Sequence, residues 1–173
     1  MKKSAALTLG VLVLDQATKA LLRAPVPFGH EIPLFPLFSI VHVQNTGAAF
    51  GILPQTNALF VGVTLVILAV LVKLGKELAS QGPWSRAALP LVWGGALGNL
   101  MDRLWQGAVT DFLDFHLGGW HWPAFNIADA AICTGVGIYI ISAFWVAQHP
   151  LNEGRGASGA SGSSAPSEPR PPA

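Results

Sequence analysis

Two groups of acidic residues stand beside long apolar runs, and they are the residues best placed to do chemistry. Asp129 opens the last apolar run, while Asp102, Asp111 and Asp114 follow the end of the preceding one. A carboxylate beside or inside a hydrocarbon layer is costly, so it usually marks a functional site. Two carboxylates within hydrogen-bond distance share a proton and titrate as a pair. The ionised member can take a proton from water while the neutral member polarises or protonates an amide.

The spacing of the residues leaves open which acid meets Asp129. Asp102, Asp111 and Asp114 all remain candidates at this point. Asn126 precedes Asp129 by three residues, so the two share one face of a helix. The sequence therefore predicts a carboxylate pair with a neighbouring amide, and it does not say which acid is the second member.

Two further polar pairs lie at helical spacing within apolar runs. Asp15 and Lys19 are four residues apart, and we interpret them as a buried pair that neutralises itself and fixes its helix. Asn99 and Arg103 are also four residues apart. Their shared face could orient a carboxylate, anchor a loop or hold a substrate carbonyl.

Other hydrolytic chemistries are less well supported by the sequence. Asp111, Asp114, His116 and His121 lie close together, but the His-Glu-x-x-His pattern of zinc peptidases is absent. There is no Gly-x-Ser-x-Gly motif, and Cys133 has no histidine at helical spacing. We therefore expect no metal and no cofactor.

The composition is typical of a polytopic membrane protein. The 173 residues are 51% hydrophobic and only 11% charged, against about 25% charged in ordinary soluble domains. A net charge of +1 gives no reason to expect nucleic acid as a partner. The partners expected from composition are membrane lipids.

Four segments are apolar enough to be predicted as membrane spans, since about 20 residues cross the hydrocarbon layer. They lie near residues 4–22, 57–74, 87–101 and 125–147. The third is short, and its Gly94, Gly95 and Gly98 have the spacing that lets helices pack closely. These spans define one predicted membrane domain, residues 1–151.

The basic residues predict the orientation of the spans. One side collects Lys2, Lys3, Lys73, Lys76 and Arg86. The positive-inside rule then places both termini in the cytoplasm and both acidic clusters on the outer side. The tail 152–173 consists mainly of Gly, Ser, Ala and Pro, so we expect it to be disordered and cytoplasmic.

The two outer loops differ in composition. The first has a run rich in β-branched and aromatic residues at 38–44, which predicts a small β element over about 24–52. The second carries Trp105, Trp120 and Trp122, which suit the headgroup region of a bilayer. We therefore expect one small surface sheet and one outer loop anchored at the interface.

Five motifs together resemble one known family, the bacterial lipoprotein signal peptidases, also called signal peptidase II. The family consists of four-span aspartic peptidases, and the resemblance runs from about Asp15 to Ile132. The motifs are Asp15-Gln16-Ala17-Thr18-Lys19, Asn45-Thr46-Gly47-Ala48-Ala49-Phe50-Gly51, Gly94-Gly95-Ala96-Leu97-Gly98-Asn99-Leu100-Met101-Asp102-Arg103, Val109-Thr110-Asp111-Phe112 and Phe125-Asn126-Ile127-Ala128-Asp129.

The resemblance implies roles for individual residues. The family's catalytic pair falls on Asp111 and Asp129, which leaves Asp102 and Asp114 as supporting residues. Other family positions that surround the pair or contact substrate fall on Asp15, Lys19, Asn45, Gly47, Asn99, Arg103 and Asn126.

The resemblance also implies a substrate and a location. The substrate would be a prolipoprotein whose lipobox cysteine already carries diacylglycerol, cut just before that cysteine. The enzyme would be a monomer in the bacterial cytoplasmic (inner) membrane, with its active site near the outer leaflet. Two other functions stay open from the residues alone: a proton-coupled transporter and a metal-dependent membrane hydrolase.

Overall fold

The computed structural model describes residues 2–47 and 56–148. It contains four helices and four strands, which are α1 Lys2–Arg23, β1 Glu31–Phe35, β2 Phe38–Asn45, α2 Asn57–Ser80, α3 Pro83–Gln106, β3 Val109–Leu117, β4 Trp120–His121 and α4 Ile127–Gln148. The predicted disordered tail, 152–173, lies outside the described residues. So do the last residues of the second motif, 48–51.

The four helices form an antiparallel bundle with α3 at its centre. Helix α3 packs against α4, α1 and α2. At one end of the bundle Asn57, at the start of α2, donates a hydrogen bond to the Arg103 carbonyl near the end of α3 (3.1 Å). At the other end, Ser85 in α3 lies 3.1 Å from Ser142 in α4, Oγ to Oγ.

Close approach of α3 to its neighbours depends on its glycines. A Cβ at Gly94 would overlap Val11 of α1, and a Cβ at Gly95 would overlap the backbone carbonyl of Ala128 in α4. A Cβ at Gly98 would lie 2.6 Å from the Asp15 carboxylate. The packing role predicted for these glycines is therefore present in the structure.

Helix α3 is longer and more polar than predicted. The sequence predicts a span near 87–101, whereas the helix starts at Pro83 and continues through Asp102 and Arg103 to Gln106. Gly107 ends it in the left-handed conformation (φ 74°), and its N–H donates to the Arg103 carbonyl. Because the last turn is polar, a prediction based on hydropathy ends the helix too early.

Three of the helices, α1, α2 and α4, are long and apolar enough to cross a membrane. Helix α3 is not one of these, although the sequence analysis predicted four spans. The reason is its central position, because ten of its 24 residues are buried and most of these are small or polar. Buried residues of α3 include Ser85, Asn99 and Asp102.

A four-stranded antiparallel sheet in the order β1-β2-β3-β4 caps one end of the bundle. The small sheet predicted for the first loop is present as β1 and β2, but it is larger than predicted, since β3 and β4 come from the second loop. Acidic residues and histidines interrupt the apolar alternation of β3, which obscured this strand in the sequence. Exposed Trp105, Trp120 and Trp122 flank this region.

The sheet is attached to the bundle through β3 and the residues before α4. Leu113 and Phe125 form an isolated antiparallel bridge. The N–H of Leu113 donates to the Phe125 carbonyl (2.8 Å), and the N–H of Phe125 donates back to the Leu113 carbonyl (3.1 Å). This bridge fixes β3 next to the first turn of α4.

Candidate active site

The start of α4 holds Asp129 through a reciprocal helix cap. Asn126 is the residue before the helix, and its Oδ1 accepts the Asp129 N–H (3.0 Å). In return the Asn126 N–H donates to Asp129 Oδ2 (3.3 Å). This is the capping-box arrangement, here with Asn and Asp in the place of the usual Ser/Thr and Glu/Gln. The local sequence thereby fixes the Asp129 side chain at the helix N-terminus.

Asp111 is buried on β3, and two amides donate to its carboxylate. Asn126 Nδ2 donates to Oδ1 (2.7 Å), and Asn45 Nδ2 donates to Oδ2 (3.1 Å). The Gly47 N–H donates to Asn45 Oδ1 (3.1 Å), which fixes the orientation of that amide. The end of β2 thus holds Asp111 from one side and the start of α4 holds it from the other.

Asn126 therefore joins the two carboxylates. Its Nδ2 donates to Asp111 while its backbone N–H and Oδ1 contact Asp129. Burial and the negative charge of Asp129 together raise the pKa of Asp111 to about 7. Hydrogen bonds from Asn45 and Asn126 act in the opposite direction. A carboxyl with this pKa can hold or release a proton near neutral pH.

A second amide, Asn99 of α3, links Asp129 to a buried cation. Asn99 Nδ2 donates to Asp129 Oδ1 (2.7 Å), and Lys19 Nζ donates to Asn99 Oδ1 (3.1 Å). The amide therefore cannot rotate without losing one of these bonds. Lys19 is fully buried, so its charge acts on the carboxylates with little screening by water.

Lys19 is itself held between two aspartates. Its Nζ lies 2.8 Å from Asp15 Oδ2 and 3.0 Å from Asp102 Oδ2. Arg23 Nη2 lies 3.0 Å from Asp102 Oδ1, so two cations balance two anions. The Asp15–Lys19 pair predicted from spacing is present, and Asp15 Oδ1 also accepts the Ala128 N–H in the first turn of α4 (3.0 Å).

Sequence reasoning missed the site contributions of Gln16, Arg23 and Thr110. Gln16 Nε2 donates to Asp102 Oδ1 (3.1 Å), and Arg23 Nε donates to Thr110 Oγ1 (2.9 Å). Arg23 follows Lys19 by four residues and so lies on the same face of α1. That spacing was the signal that could have identified Arg23.

Arg103 lies at the edge of the site with an unusual set of contacts. Its guanidinium carbon is 5.1 Å from the centroid of the Phe60 ring. Its Nε is buried, and no described residue accepts a hydrogen bond from it. Asp129 and Asp111 attract its positive charge.

The three acids that sequence spacing left as candidate partners of Asp129 have different neighbours in the structure. Asp111 is the one that shares Asn126 with Asp129, whereas Asp102 binds Lys19 and Arg23. Asp114 pairs instead with a residue of β4, since its Oδ2 lies 2.9 Å from His121 Nδ1. Asp111 therefore lies apart from Asp114, whose neighbours are His116 and His121.

A buried and a half-buried carboxylate, held by amides where helices meet a surface sheet, are typical of a membrane-embedded hydrolase. A family model described as signal peptidase (SPase) II matches residues 7–145. The chain therefore belongs to the signal peptidase II family, and it is a bacterial membrane protease. The resemblance drawn from the sequence motifs is confirmed.

Curated relatives and solved structures agree with this assignment. A lipoprotein signal peptidase from Geobacter sulfurreducens is 44% identical over 140 residues, covering 79% of this chain and 88% of that protein. The one from Serratia proteamaculans is 40% identical, covering 78% and 82% respectively. A bacterial membrane enzyme solved by the in meso method at 2.3 Å has a TM-score of 0.79 and 32% identity, covering 87% of this chain and 92% of that chain.

Proposed function

We propose that this protease is an aspartic endopeptidase that removes signal peptides from diacylglyceryl-modified prolipoproteins, and that Asp111 and Asp129 form its catalytic pair. The observation that carries the proposal is Asn126, whose side-chain amide donates to the Asp111 carboxylate while its backbone N–H donates to the Asp129 carboxylate. A pair joined in this way and largely shielded from water holds one proton between its two carboxyl groups.

The proposed mechanism uses the two protonation states of the pair. The ionised carboxylate takes a proton from water as the water attacks the peptide carbonyl, and the protonated carboxyl polarises that carbonyl and then protonates the leaving nitrogen. The pKa of Asp111, raised to about 7, supports a shared proton at neutral pH. Asn45, Asn99 and Asn126 keep both carboxylates in place during the exchange.

The position of the pair supports a lipid-modified substrate. The site lies where the helices meet the sheet, and the neighbouring helices expose large apolar residues such as Leu21 and Leu104. A lipidated cysteine can therefore remain in the bilayer while the bond before it reaches the pair. The buried Nε of Arg103, which has no acceptor among the described residues, supports a role for this residue in binding a substrate carbonyl.

The distribution of charge supports the proposed orientation. Lys73 and Lys76 lie in the second half of α2 and Arg86 lies in the first turn of α3, so all three are at the end of the bundle away from the sheet. The positive-inside rule places that end in the cytoplasm of the inner membrane. The sheet and the carboxylate pair then face outward, and α3 crosses the bilayer within the bundle as the fourth span.

Cleavage of a diacylglyceryl-modified lipobox peptide by the purified chain tests the proposal. We expect Asp111→Asn and Asp129→Asn each to lower kcat by about 10³-fold or more, since each removes one partner of a proton-sharing pair. Chelator should leave wild-type cleavage intact. Folding of both variants is checked by circular dichroism and detergent gel filtration.

Two results would contradict the proposal. One is substantial turnover by a folded Asp129→Asn variant. The other is cleavage that stops with chelator, with the melting temperature unchanged, and returns on addition of metal, which would favour the metal-dependent alternative.

A further inference from the structure

The outer part of the sheet carries a second cluster of ionisable residues, separate from the catalytic pair. Asp114 and His116 alternate along β3 with Phe115 between them, so both project from one face of the strand. Asp111 is an odd number of residues from each and projects from the opposite face. The strand therefore presents two different groups of side chains on its two faces.

Strand register adds residues from the neighbouring strands to this face. Ser39 is opposite Asp114, and His121 is opposite His116. Glu31, on β1, has its carboxylate against Ser39 Oγ (2.5 Å). The carboxylates of Glu31 and Asp114 and a ring nitrogen of His116 all lie within 4.8 Å of one another.

The cluster lacks a fixed positive charge. Among the described residues no lysine or arginine forms an ion pair with Glu31 or Asp114, unlike Asp15 and Asp102 in the bundle. Asp114 is buried, and carboxylates in such a position are normally paired or bound to a metal. Within residues 2–47 and 56–148, the one side chain that pairs with its carboxylate is His121, at 2.9 Å.

We propose that Glu31, Asp114 and His116 bind one divalent transition-metal ion of the Zn²⁺ type. Imidazole nitrogen with carboxylate oxygen is a usual ligand set for Zn²⁺, whereas Mg²⁺ and Ca²⁺ take oxygen ligands. Ligand atoms around tetrahedral Zn²⁺ are about 3.4 Å apart, so the exposed Glu31 carboxylate has to rotate inward. His121 and Ser39 then act as orienting partners, since His121 contacts Asp114 and Ser39 lies 3.1 Å from His116 Nε2.

The ion would hold the sheet together and take no part in peptide cleavage. Glu31 is on β1 and the other two ligands are on β3, so the ion bridges strands that are separated by β2. It closes a long stretch of chain, which is the case where a cross-link stabilises most. This proposal does not depend on the proposed function, because binding can be measured without any substrate.

Zinc binding to the purified full chain in detergent tests the site. The protein is stripped with chelator, exchanged into clean buffer and titrated with ZnCl₂ at neutral pH by calorimetry, with melting temperature as a second readout. We expect one Zn²⁺ per chain and a saturable rise in melting temperature. His116→Ala and Glu31→Gln each remove a proposed ligand and should weaken binding by about a hundredfold or more, since even the loss of an orienting partner costs about ten- to a hundredfold.

His30→Ala is the matched control, since His30 is the neighbour of Glu31 in the chain and the one hydrogen bond of its ring to a described residue goes to the Phe28 carbonyl (3.3 Å). It should bind zinc as wild type does. Because Glu31 is exposed, Glu31→Gln should still fold even if His116→Ala does not. Absence of saturable binding to wild type, or wild-type affinity in folded Glu31→Gln, would overturn the proposal.

Discussion

At the scale of single residues, Asn126 has more functions than any other side chain in the site. It begins α4, orients Asp129 through the reciprocal cap and donates to Asp111. Its Nδ2 also lies 3.3 Å from Asn99 Oδ1, which connects it to the Lys19 network. The Asn126 side chain therefore has two roles, one in the carboxylate pair and one at the start of the helix, and different substitutions should affect them differently.

Two substitutions at Asn126 separate these roles. Asn126→Ser keeps a good helix cap but removes the amide donor to Asp111, so we expect near wild-type stability and a loss of at least about tenfold in kcat. Asn126→Ala should lose both, with a further drop of about 0.5–2 kcal/mol in the free energy of unfolding. Turnover assays and thermal melts check these values, and wild-type kcat in Asn126→Ser would argue against the bridging role.

The raised pKa of Asp111 predicts a pH dependence of stability. The ordinary value is 3.8 and the folded value is about 7, so the folded state holds a proton that the unfolded state releases. The contribution of Asp111 to the free energy of unfolding is fully present below about pH 4. It is lost as the pH rises toward about 7.

Asp111→Asn lacks this ionisation and should therefore gain stability relative to wild type as pH rises. Between about pH 5 and pH 8 the gain should be about 2–3 kcal/mol, from roughly two pKa units at 1.36 kcal/mol each. Unfolding of both proteins by denaturing detergent at the two pH values measures this difference in the free energy of unfolding. The exposed Glu77→Gln is the control and should follow wild type; a pH-independent difference for Asp111→Asn would contradict the prediction.

At the scale of elements, the contact of α3 with α4 determines where Asp129 stands. Gly95 of α3 lies against the carbonyl of Ala128, the residue before Asp129. A side chain there meets backbone, which cannot rotate away as a flexible side chain could. The small residue at this crossing therefore controls the geometry of the site as well as the packing of the bundle.

Gly95→Ala should accordingly lower both stability and activity. We expect a loss of about 1–3 kcal/mol from overpacking, with a fall in kcat because the start of α4 is displaced. Gly137→Ala in α4 is the matched control, since a Cβ there meets nothing within 4 Å. Thermal melts and turnover of both variants decide the point, and equal behaviour of the two would disprove the packing argument.

At the scale of the whole molecule, the charged and polar residues divide between the two ends of the bundle. The carboxylates, their amides and the Asp15–Lys19–Asp102 group lie at the sheet end. At the other end the described buried polar side chains include Ser85 and Ser142, which contact each other. A proton path through the full depth of the bundle would require ionisable groups there, so this distribution favours a site for chemistry at one surface.

The proposed orientation can be tested by labelling single cysteines in intact cells. In a Cys133→Ala background, Trp120→Cys in the sheet should react with a membrane-impermeant maleimide from outside. Lys76→Cys, at the opposite end of the bundle, should react only after the inner membrane is permeabilised. Both positions are exposed, so access to the reagent depends on the side of the membrane alone. The reverse pattern would place the active site in the cytoplasm.

Much of the architecture follows from the sequence without a structure. Helices α1, α2 and α4 follow from apolar runs, because a segment facing lipid must be apolar over its whole length. The buried Asp15–Lys19 pair follows from helical spacing. The motifs identified the family, and the glycines of α3 predicted close packing because only small residues allow it.

The tertiary structure decided what depends on residues far apart in the chain. Sequence spacing left Asp102, Asp111 and Asp114 equal as partners of Asp129, and only the bridge between β3 and Phe125 brings Asp111 to Asn126. The strands of the second outer loop were also missed, because β3 owes its stability to pairing with β2 and carries charged residues that weaken its local signal. Local patterns determine helices facing lipid, whereas strand register and helix crossings determine which polar side chains meet.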